Sequence, residues 1–247
     1  MVTSTQRLPD AKTVKNRVHV DVVVVADDPV MSALRGYLDG RWANVRAKAR
    51  QFLCQRELAP FAGTDVDTHR IRVNEQLRLL ADSGLPGLGF PTACGGGGDV
   101  GGAGVGFEVL AMGDLLRMVK AGVQFGLFGG AILQLGTDRR HERYLLDVIS
   151  LGLPGCFAMT ETVHGSDLAS LRTTATYDAA AQQFVISTPD DSARKDYIGN
   201  AARDGRMAVV FAQLVTNGEP RGVHAFLVPI RSSSGETAHG VRIDDCG

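Results

Sequence analysis

The periodicity of the apolar residues changes once along the chain, near residue 150, and that change limits the possible folds more than any other feature. Before it, Leu34, Leu38, Trp42, Val45, Ala49 and Leu53 recur at three- and four-residue spacing, the stripe of one long amphipathic helix. The same spacing puts Val73, Leu77 and Leu80 on a second helix over residues 67–82, with Gly84 as its C-terminal stop. Residues 107–120 and 142–150 read as further helices. After the change, short runs rich in β-branched and aromatic residues (156–159, 183–188, 207–214 and 224–230) alternate with turn signals at Tyr177-Asp178-Ala179, Asn217-Gly218-Glu219-Pro220 and residues 232–235. Helices first and strands second predict an α+β chain: an all-α helical domain followed by an antiparallel β-barrel or sandwich. We place an N-terminal extension at 1–29, the helical domain at 30–152 and the β-domain at 153–247.

Composition removes several classes. With 26 Lys+Arg against 27 Asp+Glu, the chain is no strongly basic nucleic-acid binder, and 44% hydrophobic residues exclude a disordered one. Cys54, Cys94, Cys156 and Cys246 form no C-x-x-C pair, so neither a zinc site nor a dithiol redox motif is supported; widely spaced thiols suit a reducing compartment. The run Val22 to Val25 is too short for a signal segment or a span. Residues 121–137, interrupted by Gln124, Gln134 and glycines, fall short of the ~20 apolar residues of a membrane helix and read as a buried helix pair or helix-loop. The ending Asp244-Asp245-Cys246-Gly247 matches no address tripeptide. These features predict a soluble cytoplasmic protein with no membrane span.

Glycine is in excess, 30 of 247 residues, and clusters at 95–106 as GGGGDVGGAGVG. Gly96, Gly98 and Gly101 satisfy G-x-G-x-x-G, the dinucleotide fingerprint. That fingerprint must follow a buried strand and open a helix, whereas the preceding LPGLGFPTAC contains two prolines and reads as a loop. The cluster is therefore expected to be a connector.

The segment 155–174, GCFAMTETVHGSDLASLRTT, carries the chemistry. A hydrophobic strand ends at Met159-Thr160-Glu161-Thr162 and enters a polar loop, His164-Gly165-Ser166-Asp167. Hydroxyls and approachable backbone N–H groups at a strand end can serve the edge of a planar electron-accepting ring. They are equally what a plain strand-to-loop junction contains. A hydrolytic triad is excluded, because adjacent residues cannot form the required hydrogen-bond chain and no G-x-S-x-G elbow is present.

The pattern Thr160-Glu161-x-x-His164-Gly165-Ser166 resembles the T-E-x-x-H-G-[ST] motif of acyl-CoA oxidases, relatives of the acyl-CoA dehydrogenases. The likeness extends through Leu171-Arg172-Thr173-Thr174, through Arg194-Lys195-Asp196-Tyr197-Ile198-Gly199-Asn200, and through Gly222-Val223-His224-Ala225-Phe226-Leu227-Val228. Upstream, Leu85-Pro86-Gly87-Leu88-Gly89-Phe90-Pro91 and Gly122-Val123-Gln124-Phe125-Gly126-Leu127-Phe128-Gly129 are also oxidase-like.

The resemblance implies non-covalent FAD and oxidation of a fatty acyl-CoA to its trans-2-enoyl-CoA. Electrons would pass to O₂ or to an electron-transfer flavoprotein, in a protein that is a homo-oligomer at full length. It implies FAD contacts from Thr160, Glu161, Tyr197, Ile198 and Gly199, with Tyr197 standing where tryptophan is more usual. It also implies substrate contacts from Ser166, Gln124 and Leu127. The alternatives stay open: Tyr197 could pack in a sheet, Ser166 could cap a turn, His164 could be a loop histidine and His224 a core one. The family's third part, a C-terminal helical bundle carrying the catalytic glutamate, is not recognisable here. The expectation is therefore a truncated chain without a catalytic base, with a non-catalytic scaffold that binds no FAD as the alternative.

Overall fold

The computed structural model describes residues 28–59 and 65–246. The valine run at 22–25 and nearly all of the expected extension at 1–29 lie outside the described residues. The chain divides into two units, Met1–Gly40 and Arg41–Gly247. In the first, helix α1 (Pro29–Asp39) begins at Asp28, whose carboxylate accepts from Val30 N at 2.8 Å. In the second, α2 spans Ala43–Leu53. The single long helix expected over 34–53 is thus two, because Gly40 turns to φ 62° and ends α1 before a 3-10 turn at Gly40–Trp42. Leu34 and Leu38 are exposed; Val45, Ala49 and Phe52 are buried.

Helix α3 (Val66–Asp82) matches the expected span, buries Val73, Leu77 and Leu80, and stops at Gly84 with φ 74°. Asp65 caps its start through Thr68 N at 2.7 Å. The glycine cluster is a connector only in its first part: Gly95 and Gly98 take positive φ, whereas α4 (Val100–Leu110) continues through four glycines. Asp99 starts that helix by accepting from Gly102 N at 2.8 Å. The helix expected over 107–120 is interrupted between α4 and α5 (Leu115–Ala121), where Asp114 caps the new start through Leu116 N.

Residues 121–137 form neither a helix pair nor a helix-loop. A π-helical turn, Gly122–Phe128, joins α5 to α6 (Gly129–Leu135) without a break. The resulting run Leu115–Leu135 is, by length and composition, apolar enough to cross a membrane. In this fold Ala121, Phe125, Phe128 and Ile132 sit in the helical core with α7 (Asp138–Ile149).

Strands β1 (Gly155–Ala158), β2 (Thr174–Asp178), β3 (Gln183–Ser187), β4 (Met207–Thr216) and β5 (Glu219–Pro229) form one sheet. The helices-then-strands order is as expected, and the strand directions are mixed. β4 runs parallel to β1 along its first half and to β2 near its end, and antiparallel to β5 on its other side. Asn217 and Gly218, both at positive φ, close the β4–β5 hairpin as a two-residue turn requires. Alternation splits the sheet's side chains. Phe157, Val209, Phe211 and Leu227 pack against the helical core, while Cys156, Ala158, Ala208 and Val210 meet Ile230 in a second core. The sheet therefore holds the loop after β1 and the long loop before β4 against the helices.

Candidate functional site

Those two loops pair with each other. The chain leaves β1 at Ala158, and residues 159–163 run antiparallel to 192–196 around an isolated bridge between Glu161 and Lys195. Thr162 N donates to Arg194 O (3.0 Å), Val163 N to Ser192 O (3.3 Å) and Asp196 N to Thr160 O (3.1 Å). The Thr162 hydroxyl donates to Asp196 Oδ2 at 3.1 Å.

Glu161 faces away from solvent, 1% exposed. Its carboxylate accepts from Arg172 N and Thr173 N, each at 2.9 Å, and from Lys195 Nζ at 3.1 Å. Burial alone would raise its pKa, but these donors outweigh it and hold the carboxyl below its ordinary value. Lys195 Nζ also donates to Met159 O at 3.0 Å, and burial pulls its pKa down. A second anchor lies beneath the same loop. Arg172 grips Asp190 through two bonds, at 3.1 and 2.6 Å, and contacts Ser192. With Ser192 and Arg172 donating to it, Asp190 is held at a pKa of about 2.

Beyond this zipper the chain rises to Tyr197, a non-glycine residue at φ 57° with 83% of its surface exposed. Gly199 follows; a Cβ there would sit 3.0 Å from Val123 Cγ2 on the π-helical turn, so the loop rests directly on that turn. The far side is clamped by Arg231, which donates to the carbonyls of Ala201, Gly205 and Ala202 at 2.6, 2.8 and 2.8 Å. An open cleft of about 2310 Å³ lies alongside, lined by Tyr197, Ile198 and Gly199 together with Val73, Lys120 and Val123.

Of the expected site residues, the fold therefore brings Tyr197, Ile198 and Gly199 to one cleft, with half-buried Thr160 on the adjoining loop. Four others are placed differently. Glu161 is turned into the protein. Gln124 is fully buried: its amide donates to Val148 O and Leu153 O (3.2 and 3.0 Å) and accepts from Gly155 N (2.8 Å), pinning the entry to β1 to the π-helical turn instead of lining a channel. Ser166 and Leu127 are exposed and outside the cleft lining. His224 is exposed rather than in the core. Arg231 was not signalled by the sequence, since a lone arginine after an apolar strand matches no pattern. Lys195 lay inside the motif but gave no hint that it faces a buried carboxylate.

Comparison with known proteins supplies the remaining findings. Residues 43–151 match the model of the acyl-CoA dehydrogenase N-terminal domain, and residues 156–246 that of the acyl-CoA dehydrogenase middle domain. The chain is 45% identical over 147 residues to acyl-coenzyme A oxidase 2, peroxisomal, of Arabidopsis thaliana, and 44% over 140 residues to acyl-coenzyme A oxidase 3, peroxisomal, of the same plant. Each match covers 57% of this chain and 21% of the relative, so the chain spans about a fifth of their length. The crystal structure of acyl-CoA oxidase 1 from Yarrowia lipolytica superposes with a TM-score of 0.69 at 29% identity, covering 83% of this chain and 29% of that one. The peroxisomal names of the plant relatives overturn the expected cytoplasmic location.

Proposed function

We propose that this chain, which belongs to the acyl-CoA dehydrogenase family, provides the flavin-facing part of a site that oxidises fatty acyl-CoA thioesters between Cα and Cβ. The observation that carries the reading is Tyr197: an aromatic ring held in the left-handed region, exposed, at the edge of a cleft, on a loop fixed from both sides. Backbone strain of this kind costs on the order of 1–3 kcal/mol and persists where surrounding structure enforces it. FAD, when bound, supplies the two-electron acceptor. The residues present fit it: Tyr197 offers an aromatic face, Thr160 a hydroxyl on the neighbouring loop, and Ile198 an apolar contact. Relatives named oxidases support O₂ as the final acceptor, and their peroxisomal names support that compartment.

Among the described residues, three carboxylates that line the cleft are already engaged by cations and are not assigned as the base for the α-proton. Asp196 is engaged by Arg194, Asp204 by Lys120 and Asp245 by Arg70. The isolated chain is accordingly proposed to bind flavin without turning over acyl-CoA. Titrating the purified chain with FAD, followed by flavin fluorescence, tests the reading. Saturable binding that weakens about tenfold in Tyr197→Ala, the scale of one lost stacking contact, supports it. A chain that leaves millimolar FAD unbound overturns it.

A further inference from the structure

We propose that Glu161 and Lys195 are positioning residues, a buried ion pair that sets the register of the two loops presenting Thr160 and Tyr197 and does not itself touch the ligand. The inference rests on the flavin reading above and reassigns Glu161 of its motif. Both charged groups point inward. The Glu161 carboxylate accepts two backbone N–H groups besides the ammonium, and Lys195 divides its donors between that carboxylate and Met159 O. The Glu161 carboxylate is thus withheld from the cleft, and Lys195, although it lines the cleft, turns two of its three ammonium donors inward.

Net stability does not explain the pair. Removing two charges from water offsets most of their attraction, and apolar replacements of similar volume are often as stable. Register does explain it. Glu161 and Lys195 face each other across an antiparallel bridge, and in paired extended chains a one-residue slip turns every side chain to the opposite side. Such a slip would swing Thr160 inward, expose Glu161 and shift Tyr197 along the cleft. An apolar pair can slide, whereas a carboxylate held by three fixed donors cannot without leaving a buried charge unmatched.

The test uses the whole chain with Glu161→Gln, Lys195→Met and Lys195→Arg, measuring amide hydrogen exchange and FAD affinity. We expect the amides of Thr162 and Asp196, bonded across the loops, to exchange about tenfold or more faster in the first two variants, with α3 and α7 unchanged. FAD affinity should fall by about tenfold or more in the same variants, and Lys195→Arg should restore both. Wild-type protection in both variants overturns the inference, as does acceleration spread equally through α3 and α7. Loosened loops with undiminished FAD affinity overturn it too. A wild type that binds no FAD but shows the selective loosening removes the flavin reading and leaves the register role standing.

Discussion

Gly101 lies directly against the indole of Trp42: a Cβ built on it would fall 2.1 Å from Trp42 Cζ2. The same indole N–H donates to both carboxylate oxygens of Asp99, at 3.1 and 3.0 Å, and Asp99 starts the helix to which Gly101 belongs. The part of the glycine cluster that resembles a phosphate loop thus seats a tryptophan. In an ordinary helix interior Gly→Ala stabilises by up to about 1 kcal/mol. Here the clash wins, and Gly101→Ala should destabilise by about 1–3 kcal/mol. Gly104, three residues on in the same helix, has nothing within 4 Å of its Cβ position, so Gly104→Ala should stabilise. Denaturant melts of the two variants should move in opposite directions.

That contrast also marks what the sequence could reveal. Helix α3 was legible nearly to the residue, because an apolar stripe and a terminal glycine agree. The first turns of helix α4 were hidden, because glycines argue against a helix, whereas there Asp99 caps the start and Gly101 packs on Trp42. The parallel pairings of β4 were hidden for a related reason: pairing is decided by partners far away in sequence. At the site, Tyr197, Ile198 and Gly199, neighbours in the motif, line one cleft. That Glu161 and Gln124 are buried was not legible, since a polar residue in a motif looks the same whether it faces a ligand or holds a backbone.

Gln124 satisfies three buried backbone groups of the segment joining α7 to β1. Gln124→Ala removes the side-chain partner of Leu153 O and Gly155 N, while Val148 O keeps Leu151 N at 3.3 Å, and it opens a cavity, at a cost of about 3 kcal/mol. The variant should melt well below wild type. A fold as stable as wild type would show that the amide is dispensable.

The Glu161 carboxyl has a lowered pKa in the folded chain. Its contribution is therefore complete above the ordinary glutamate value near 4.3 and is lost as pH falls through the lower folded value. Stability measured from neutral pH into that acid range should fall more steeply for wild type than for Glu161→Gln. Parallel pH profiles would contradict the assignment.

Cys156 is buried in the second core, and burial pushes its thiol up to about 12. Its neutral form stabilises the fold fully below the unfolded thiol's pKa near 8.5, and that contribution is lost as pH rises toward 12. A thiol reagent at pH 8 should label exposed Cys54 and Cys246 and reach Cys156 only on unfolding. Rapid labelling of Cys156 in the native chain would refute this placement.

The central claim, that the loops after β1 and before β4 receive FAD, is tested most directly by amide exchange on the wild-type chain with and without saturating FAD. Slower exchange is expected at residues 159–167 and 195–201. No flavin-dependent protection there, or protection at the glycine cluster 95–106 instead, would contradict it.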